Sequence, residues 1–155
     1  MKDDKRNGFV LNWGMAWTKP EFAHHQVDHA GDVLIAPPVV EIFREDEIDA
    51  LNNALDIINN WRSSHSCPLQ SMKMTLLWRA KKIDKQSLIA QRIKRIRAIA
   101  IKLRRNPNMK LSKMHDIGGC RAVMRSVGLA EELVAYYEKP GMQEKSRFMA
   151  SWIPY

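Results

Sequence analysis

Residues 92–124 read RIKRIRAIAIKLRRNPNMKLSKMHDIGGCRAVM, and this stretch decides both the fold and the chemistry that we expect of the chain. Four of its apolar residues recur at the spacing of one buried helical face: Ile96, Ile99, Ala100 and Leu103. We therefore predict a helix over about 95–105, ended by the Asn-Pro-Asn sequence at 106–108. A second stripe of this helix would gather its cations, Arg95, Lys102 and Arg105.

The charge of the chain is concentrated in its middle. The 155 residues carry a formal net charge of +8 and suit one basic globular domain. Residues 73–125 hold 16 Lys or Arg against two acids, Asp84 and Asp116, whereas residues 1–72 hold six basic residues against 11 acidic ones. Such a basic segment indicates a phosphate-rich partner, which can be a nucleotide or a nucleic acid.

Other classes of protein are not indicated. Cys67 and Cys120 form no CxxC pair and suggest neither a disulfide framework nor a zinc site. His25 and His29 lie one helical turn apart, but this HxxxH pair alone is weak evidence for a metal. No apolar run reaches membrane-spanning length and the N-terminus is polar, so we expect no membrane partner and a cytoplasmic location.

The N-terminal part is predicted to be helical. We interpret residues 1–15 as a mobile leader and residues 16–85 as a helical segment, interrupted by Ala-Pro-Pro at 36–38. The first helix would stop at Gly31 and bury Phe22, Ala23, Val27 and Ala30. The second would be capped by Asp46 and bury Ile48, Leu51, Leu55, Ile58 and Trp61. The third would carry Pro68 in its first turn and bury Leu69, Met72, Leu76, Ala80 and Ile83.

We expect the second and third helices to form an antiparallel hairpin. Met72, Met74 and Trp78 are assigned to packing, because Met and Trp at helical spacing belong more often to a core than to a ligand site. The patch at residues 61–65 is also interpreted as structural. A last helix after Gly128, ended by Pro-Gly at 140–141, would bury Leu129, Leu133, Val134 and Tyr137.

Strands are predicted on both sides of the basic helix, over residues 87–93 and 117–124. A strand that leads into a helix with early cations places positive charge beside free backbone N–H groups, which suits phosphate. Regular alternation in the second strand would put Asp116 and Arg121 on opposite faces. A site shared by both would need a bulge, and Gly118-Gly119 could provide one.

The order of these motifs resembles a known family. Arg92-x-Lys94, followed by Ile99, Lys102-Leu103 and the DIGGCR sequence at 116–121, is similar to the synthetase domain of the RelA/SpoT family. This family transfers pyrophosphate from ATP to the 3′ hydroxyl of GDP or GTP, making the alarmone (p)ppGpp. The NWRSSHS sequence at 60–66 resembles a segment that precedes these motifs in one branch of the family. The resemblance covers roughly residues 17–124.

This resemblance implies an α+β fold, in which N-terminal helices precede the first part of a nucleotidyltransferase-like (polymerase-β-like) mixed sheet with flanking helices at 86–155. By position, Arg92, Lys94 and Lys102 would bind the phosphates of ATP, with Mg²⁺ as cofactor. Asp116 would be the catalytic residue that binds this metal. Arg121 matches an arginine of the family's strand motif and would either join the phosphate site or serve the structure.

The chain departs from the family pattern in two places. Ala98 stands where the family usually has a serine. After Tyr137 we find neither the family's guanine-stacking tyrosine segment nor its later glutamate. The domain therefore looks truncated in its C-terminal part, and we expect this chain alone to make little or no (p)ppGpp.

Two alternatives stay open beside a guanine-nucleotide acceptor. One is pyrophosphorylation of the tRNA 3′ end, as in toxin-like members of the family, and the other is a non-enzymatic module that binds nucleotide or RNA. We favour nucleotide over single-stranded RNA because no aromatic residue lies among the cations between Arg79 and Arg125.

Overall fold

The computed structural model describes residues 17–36 and 45–139, and their secondary structure is α+β, as expected. The elements in chain order are α1 (His24–Ile35), α2 (Glu45–Ser64), α3 (Ser66–Ile83), β1 (Leu88–Ile93), α4 (Ile96–Arg105), a 3-10 turn (Leu111–Lys113), β2 (Gly118–Val123) and α5 (Val127–Glu138). The predictions for the leader, for Pro37-Pro38 and for the stop at 140–141 lie outside the described residues. No helix within the described ranges is long and apolar enough to cross a membrane.

The core lies where α1, α2 and α4 meet the 3-10 turn and the residues that lead into β2. Helix α4 buries Ile99, Ala100 and Leu103, which confirms the face predicted from their spacing. The other fully buried aliphatic side chains of this core are Val27, Ile58, Leu111 and Ile117. The basic helix is thus anchored by its apolar side and presents its cations outward.

Helix α1 continues through Gly31 to Ile35, so the prediction that Gly31 ends the helix was wrong. Gly31 is buried against the 3-10 turn, and a Cβ atom built on it would lie 3.0 Å from the Cβ atom of Leu111. The glycine therefore serves close packing rather than helix termination. A few residues earlier on α1, the Asp28 carboxylate accepts hydrogen bonds from the Ser112 amide at 2.8 Å and from its hydroxyl at 3.1 Å.

The two strands are separated in the chain by α4 and the 3-10 turn. They form a two-stranded antiparallel sheet with uninterrupted one-to-one pairing, from Leu88 opposite Val123 to Ile93 opposite Gly118. The bulge that Gly118-Gly119 could have provided is therefore absent from this pairing. Gly118 faces α3, and a Cβ atom on it would lie 3.3 Å from a methyl group of Leu69. Helix α3 packs against both strands and covers this face of the sheet.

One buried carboxylate holds the start of β1 and the end of β2 in place. Asp84, which caps the C-terminus of α3, accepts hydrogen bonds from the Gln86 amide at 2.9 Å, the Arg125 amide at 3.1 Å and the Arg125 Nε at 2.9 Å. The bond from the Gln86 amide is the main cause of the lowered pKa of Asp84. Because Gln86 precedes β1 and Arg125 follows β2, this residue fixes both strands to α3.

Helices α2 and α3 scarcely contact each other, so the expected antiparallel hairpin of helices was wrong. The chain turns at His65, and α2 packs along α1 while α3 packs under the sheet. The assignment of three α3 residues to the core was also wrong, since Met72, Met74 and Trp78 are 41%, 47% and 53% exposed. The spacing of the apolar residues predicted the helix, but the two-stranded sheet covers only one side of it.

Smaller corrections concern the phase of two helices. Asp46 lies inside the first turn of α2 rather than at its cap, and Ile48 is exposed while Ile58 and Trp61 are buried as predicted. In α5, Ser126 is the N-cap, with its hydroxyl accepting from the Leu129 amide, and Gly128 falls within the helix. Leu133 is buried as expected, but Val134 is exposed. Among the described residues α2 packs chiefly against α1, and α5 packs against α3.

Candidate phosphate-binding site

The carboxylate of Asp116 lies between two lysines. The Lys94 Nζ donates to its Oδ2 at 2.8 Å and the Lys102 Nζ donates to its Oδ1 at 2.6 Å. Lys94 directly follows β1, Lys102 lies on α4, and Asp116 precedes β2. The fold thus brings together three of the five residues that the sequence singled out as a site.

The two lysines keep this carboxylate ionised. The hydrogen bond from Lys102, followed by that from Lys94, lowers the pKa of Asp116 from 3.8 to about 2. The side chains of Lys94, Lys102 and Asp116 are 12%, 32% and 47% exposed, so water still reaches the cluster. Ion pairs with this access to water contribute only about 0–1 kcal/mol to stability. The lysines can therefore leave Asp116 for a more highly charged anion at little expense.

The main chain of Lys94 is held on both sides. Its amide donates to the Ile117 carbonyl at 2.7 Å, which joins it to the residue after Asp116. Its carbonyl accepts from the Arg62 Nε at 2.8 Å, and Arg62 Nη1 donates to Asn59 Oδ1 at 2.7 Å. Arg62 therefore orients the backbone from which the Lys94 side chain extends. Nothing in the sequence indicated this role of Arg62, although it lies in the NWRSSHS segment that resembles one family branch.

The neighbours of Arg62 form the corner between α2 and α3. Trp61, Ser64 and His65 are buried, and the Ser64 hydroxyl and the His65 Nδ1 both donate to the Trp61 carbonyl, at 2.8 and 2.7 Å. Burial lowers the pKa of His65, and its ring meets the Trp61 ring edge-on. This neutral, packed corner fits the structural interpretation of residues 61–65, with Arg62 as the exception.

Arg92 and Arg121 lie on the face of the two-stranded sheet that is turned away from α3. Arg92 pairs with Gly119 and Arg121 with Ala90, so the two side chains are diagonal neighbours on this face. Both are exposed, and neither forms an ion pair with a described residue. Arg121 is not among the partners of Asp116 in the described part of the chain. The strands pair without the bulge that would bring these two residues into one site.

The N-terminus of α4 adds backbone donors close to Lys94. Its N-cap is Arg95, and no side chain among the described residues caps it. The first amides of an α-helix have no intrahelical acceptor, and together with the helix dipole they attract anions. Ala98 lies in this first turn and offers no hydroxyl.

The donor set fits Mg²⁺ only in a limited way. Within 17–36 and 45–139, no three His, Cys, Asp or Glu side chains are grouped as metal ligands, and His25 and His29 are exposed on α1. Asp116 offers one ionised carboxylate. Proteins commonly hold Mg²⁺ with one or two carboxylates plus substrate phosphates, so Asp116 suits an ion that arrives with a nucleotide.

No protein-family model matches this chain, and a search of curated proteins finds no similar sequence. The proposals below therefore rest on the geometry of the Asp116 cluster and on the resemblance of the motifs that form it.

Proposed function

We propose that this chain binds ATP through its phosphates and takes part in pyrophosphate transfer to a guanine nucleotide, the reaction of alarmone synthesis. The observation that carries the proposal is the clamp on Asp116, in which the Lys94 and Lys102 ammonium groups each donate to one carboxylate oxygen. These residues occupy the positions at which the RelA/SpoT-like motifs place the donor site. The two-stranded sheet, flanked by α3 and α4, would then be the first part of a nucleotidyltransferase-like domain, in a cytoplasmic protein.

Charge exchange explains how the resting cluster would accept a triphosphate. Two ammonium groups that now share one carboxylate would turn to phosphate oxygens, which accept charge-assisted hydrogen bonds and carry more charge. Arg92, two residues before Lys94, is a further cation, and the N-terminal amides of α4, which no described side chain caps, add positive potential beside Lys94. Transfer of this kind depends mainly on positioning and on stabilising spread negative charge, which these groups supply.

The proposed reaction breaks one phosphoanhydride bond. The 3′ hydroxyl oxygen of the acceptor attacks the β-phosphorus of ATP, the bond to the bridging oxygen of the AMP moiety breaks, and AMP leaves while the hydroxyl proton passes to water. Asp116 would hold the Mg²⁺ that arrives with the nucleotide, and this ion supplies charge neutralisation on the phosphates. Lys94 and Lys102 keep the donor in place.

The tRNA 3′ end is a second candidate acceptor, because the outward face of α4 is cationic. Arg97, Arg104 and Arg105 are exposed on this helix, which has no acidic residue. None of them forms an ion pair with a carboxylate of the described residues. Unpaired arginines close to Lys102 suit a long phosphate backbone better than they suit a mononucleotide.

Calorimetry of ATP binding tests the donor site. We expect ATP to bind more tightly than AMP, and Lys94→Met and Lys102→Met to remove most of this preference. Asp116→Asn should reduce the effect of Mg²⁺ on ATP affinity. Arg104→Met, on the solvent side of the same helix, is the matched control and should keep both properties. Equal affinity for ATP and AMP would refute the site.

The acceptor is tested separately, by thin-layer chromatography with labelled ATP and GDP, GTP or tRNA. A labelled guanine nucleotide product that Lys94→Met abolishes supports alarmone synthesis. Label on the tRNA 3′ end alone would favour the second candidate. Little or no transfer to GDP or GTP is the result expected of this chain alone, and ATP binding with no transfer to any of the three would also suit the non-enzymatic module.

A further inference from the structure

A second surface of the molecule, formed by α3 and α5, combines aromatic rings with cations. Trp78 is 53% exposed, and two cations lie over its ring: the Lys82 Nζ at 3.6 Å from the ring centroid and the Arg79 guanidinium carbon at 4.3 Å. The same guanidinium lies 4.1 Å from the ring centroid of Tyr136 on α5. One arginine thus joins two aromatic residues that are far apart in sequence.

A groove of about 320 Å³ runs between α3 and α5 at this point. Its walls come from Arg79, Lys82 and Ile83 on one side and from Glu132, Ala135, Tyr136 and Lys139 on the other. The lining therefore contains three cationic side chains and one carboxylate. The groove shares no residue with the Asp116 cluster.

We propose that this groove, together with the Trp78 ring that Arg79 and Lys82 contact beside it, binds a single-stranded nucleic acid, whose bases stack on Trp78 and Tyr136 and whose phosphates meet Arg79, Lys82 and Lys139. Stacking platforms among cations are the usual composition of such sites. The sequence favoured nucleotide over single-stranded RNA because no aromatic residue lies between Arg79 and Arg125. The fold supplies rings from both sides of that range, Trp78 directly before Arg79 and Tyr136 after Arg125.

Charge selects a nucleic acid over a protein as the occupant. Protein interfaces are depleted of lysine, whereas here Lys82 lies on the exposed ring itself and Lys139 lines the groove. Cation–π contacts at exposed sites are weak. A base that stacks on Trp78 would displace Lys82, and the released ammonium group can then bind the adjoining phosphate. Ring and cation would thus serve two parts of one nucleotide.

The test uses the full chain and fluorescence anisotropy with a labelled oligouridine of about 12 nucleotides, within the range of sizes that single-strand sites accept. An abasic oligonucleotide of the same length and charge separates stacking from plain electrostatics. We expect the oligouridine to bind more tightly than the abasic strand. Trp78→Leu should weaken oligouridine binding about 5- to 100-fold and leave abasic binding unchanged, while Trp78→Phe, which keeps a ring, should lose much less.

Competition with ATP and Mg²⁺ makes this inference independent of the proposed function. Oligouridine binding that persists at saturating ATP supports a separate groove, whereas displacement by ATP would place the strand at Asp116 and overturn the assignment. Equal affinity for the two oligonucleotides, or unchanged binding by Trp78→Leu, would overturn it too. Absence of oligonucleotide binding, with Trp78→Leu reducing self-association in sedimentation, would assign the patch to a protein contact instead.

Discussion

Asp116 lies at the centre of the proposed donor site, and its protonation can be measured directly. The hydrogen bond from Lys102 is the largest cause of its low pKa, so Lys102→Met should raise the pKa of Asp116 from about 2 towards 3.8. A carbon-detected NMR titration of the aspartate side chains would show this shift. Arg104→Met removes an equal charge from the exposed face of α4 and should leave the titration almost unchanged. A similar shift in both variants would mean that only the general positive field matters.

The sign of the pH effect follows from the same value. Because the folded pKa lies below the ordinary value, the contribution of Asp116 to stability is complete at neutral pH and is lost as the pH falls from about 3.8 towards about 2. The contribution is small, on the order of 0–1 kcal/mol, since the pair is open to water.

At the scale of the elements, two glycines allow a matched test of packing. Gly31→Ala would bring a Cβ atom to 3.0 Å from the Leu111 Cβ and 3.4 Å from the Leu103 Cδ1, both in the core. We expect a loss of about 1–3 kcal/mol in the free energy of unfolding, measured with urea. Gly128→Ala on α5 meets no atom within 4 Å and should gain up to about 1 kcal/mol. Equal effects of the two substitutions would show that α1 can move away from the 3-10 turn.

Helix α2 and the end of β1 are joined by Arg62. Arg62→Gln removes the charge-assisted hydrogen bond to the Lys94 carbonyl, worth on the order of 1.5–3 kcal/mol. If Arg62 positions Lys94, the variant should also raise the pKa of Asp116 and weaken ATP binding. Arg62→Lys keeps the charge but loses the planar geometry, and should behave much like Arg62→Gln. A loss of stability with an unchanged pKa of Asp116 would limit Arg62 to a structural role.

The elements also show what could be predicted from the sequence. The apolar spacing in α4 predicted the buried face on Ile99 and Leu103, and the motif order predicted that Lys94, Lys102 and Asp116 belong together, as the geometry has them. Periodicity failed for Trp78, because a helical stripe shows what can be buried and not how wide the neighbouring element is. The pairing at Gly118-Gly119 is regular, since glycine permits an irregular strand without requiring one.

At the scale of the whole molecule, the charge of residues 73–125 predicts a response to multivalent anions. Tripolyphosphate should raise the melting temperature more than sodium chloride of equal ionic strength, because a bound anion stabilises the folded state while salt only screens repulsion. Thermal unfolding followed by circular dichroism would measure the difference, with Lys94→Met and Lys102→Met combined as the variant that should lose most of it. Equal shifts with both salts would indicate screening alone.

The two backbone hydrogen bonds of Lys94 also bear on how fast the site can respond. With its amide held by Ile117 and its carbonyl held by Arg62, the exchange of Asp116 for a phosphate needs only rotations of side-chain torsions. The exchange therefore needs no opening of a loop or lid, a motion that takes nanoseconds to seconds. Capture of a nucleotide should then be limited by diffusion and accelerated by the positive field, so its rate would fall steeply as salt is added.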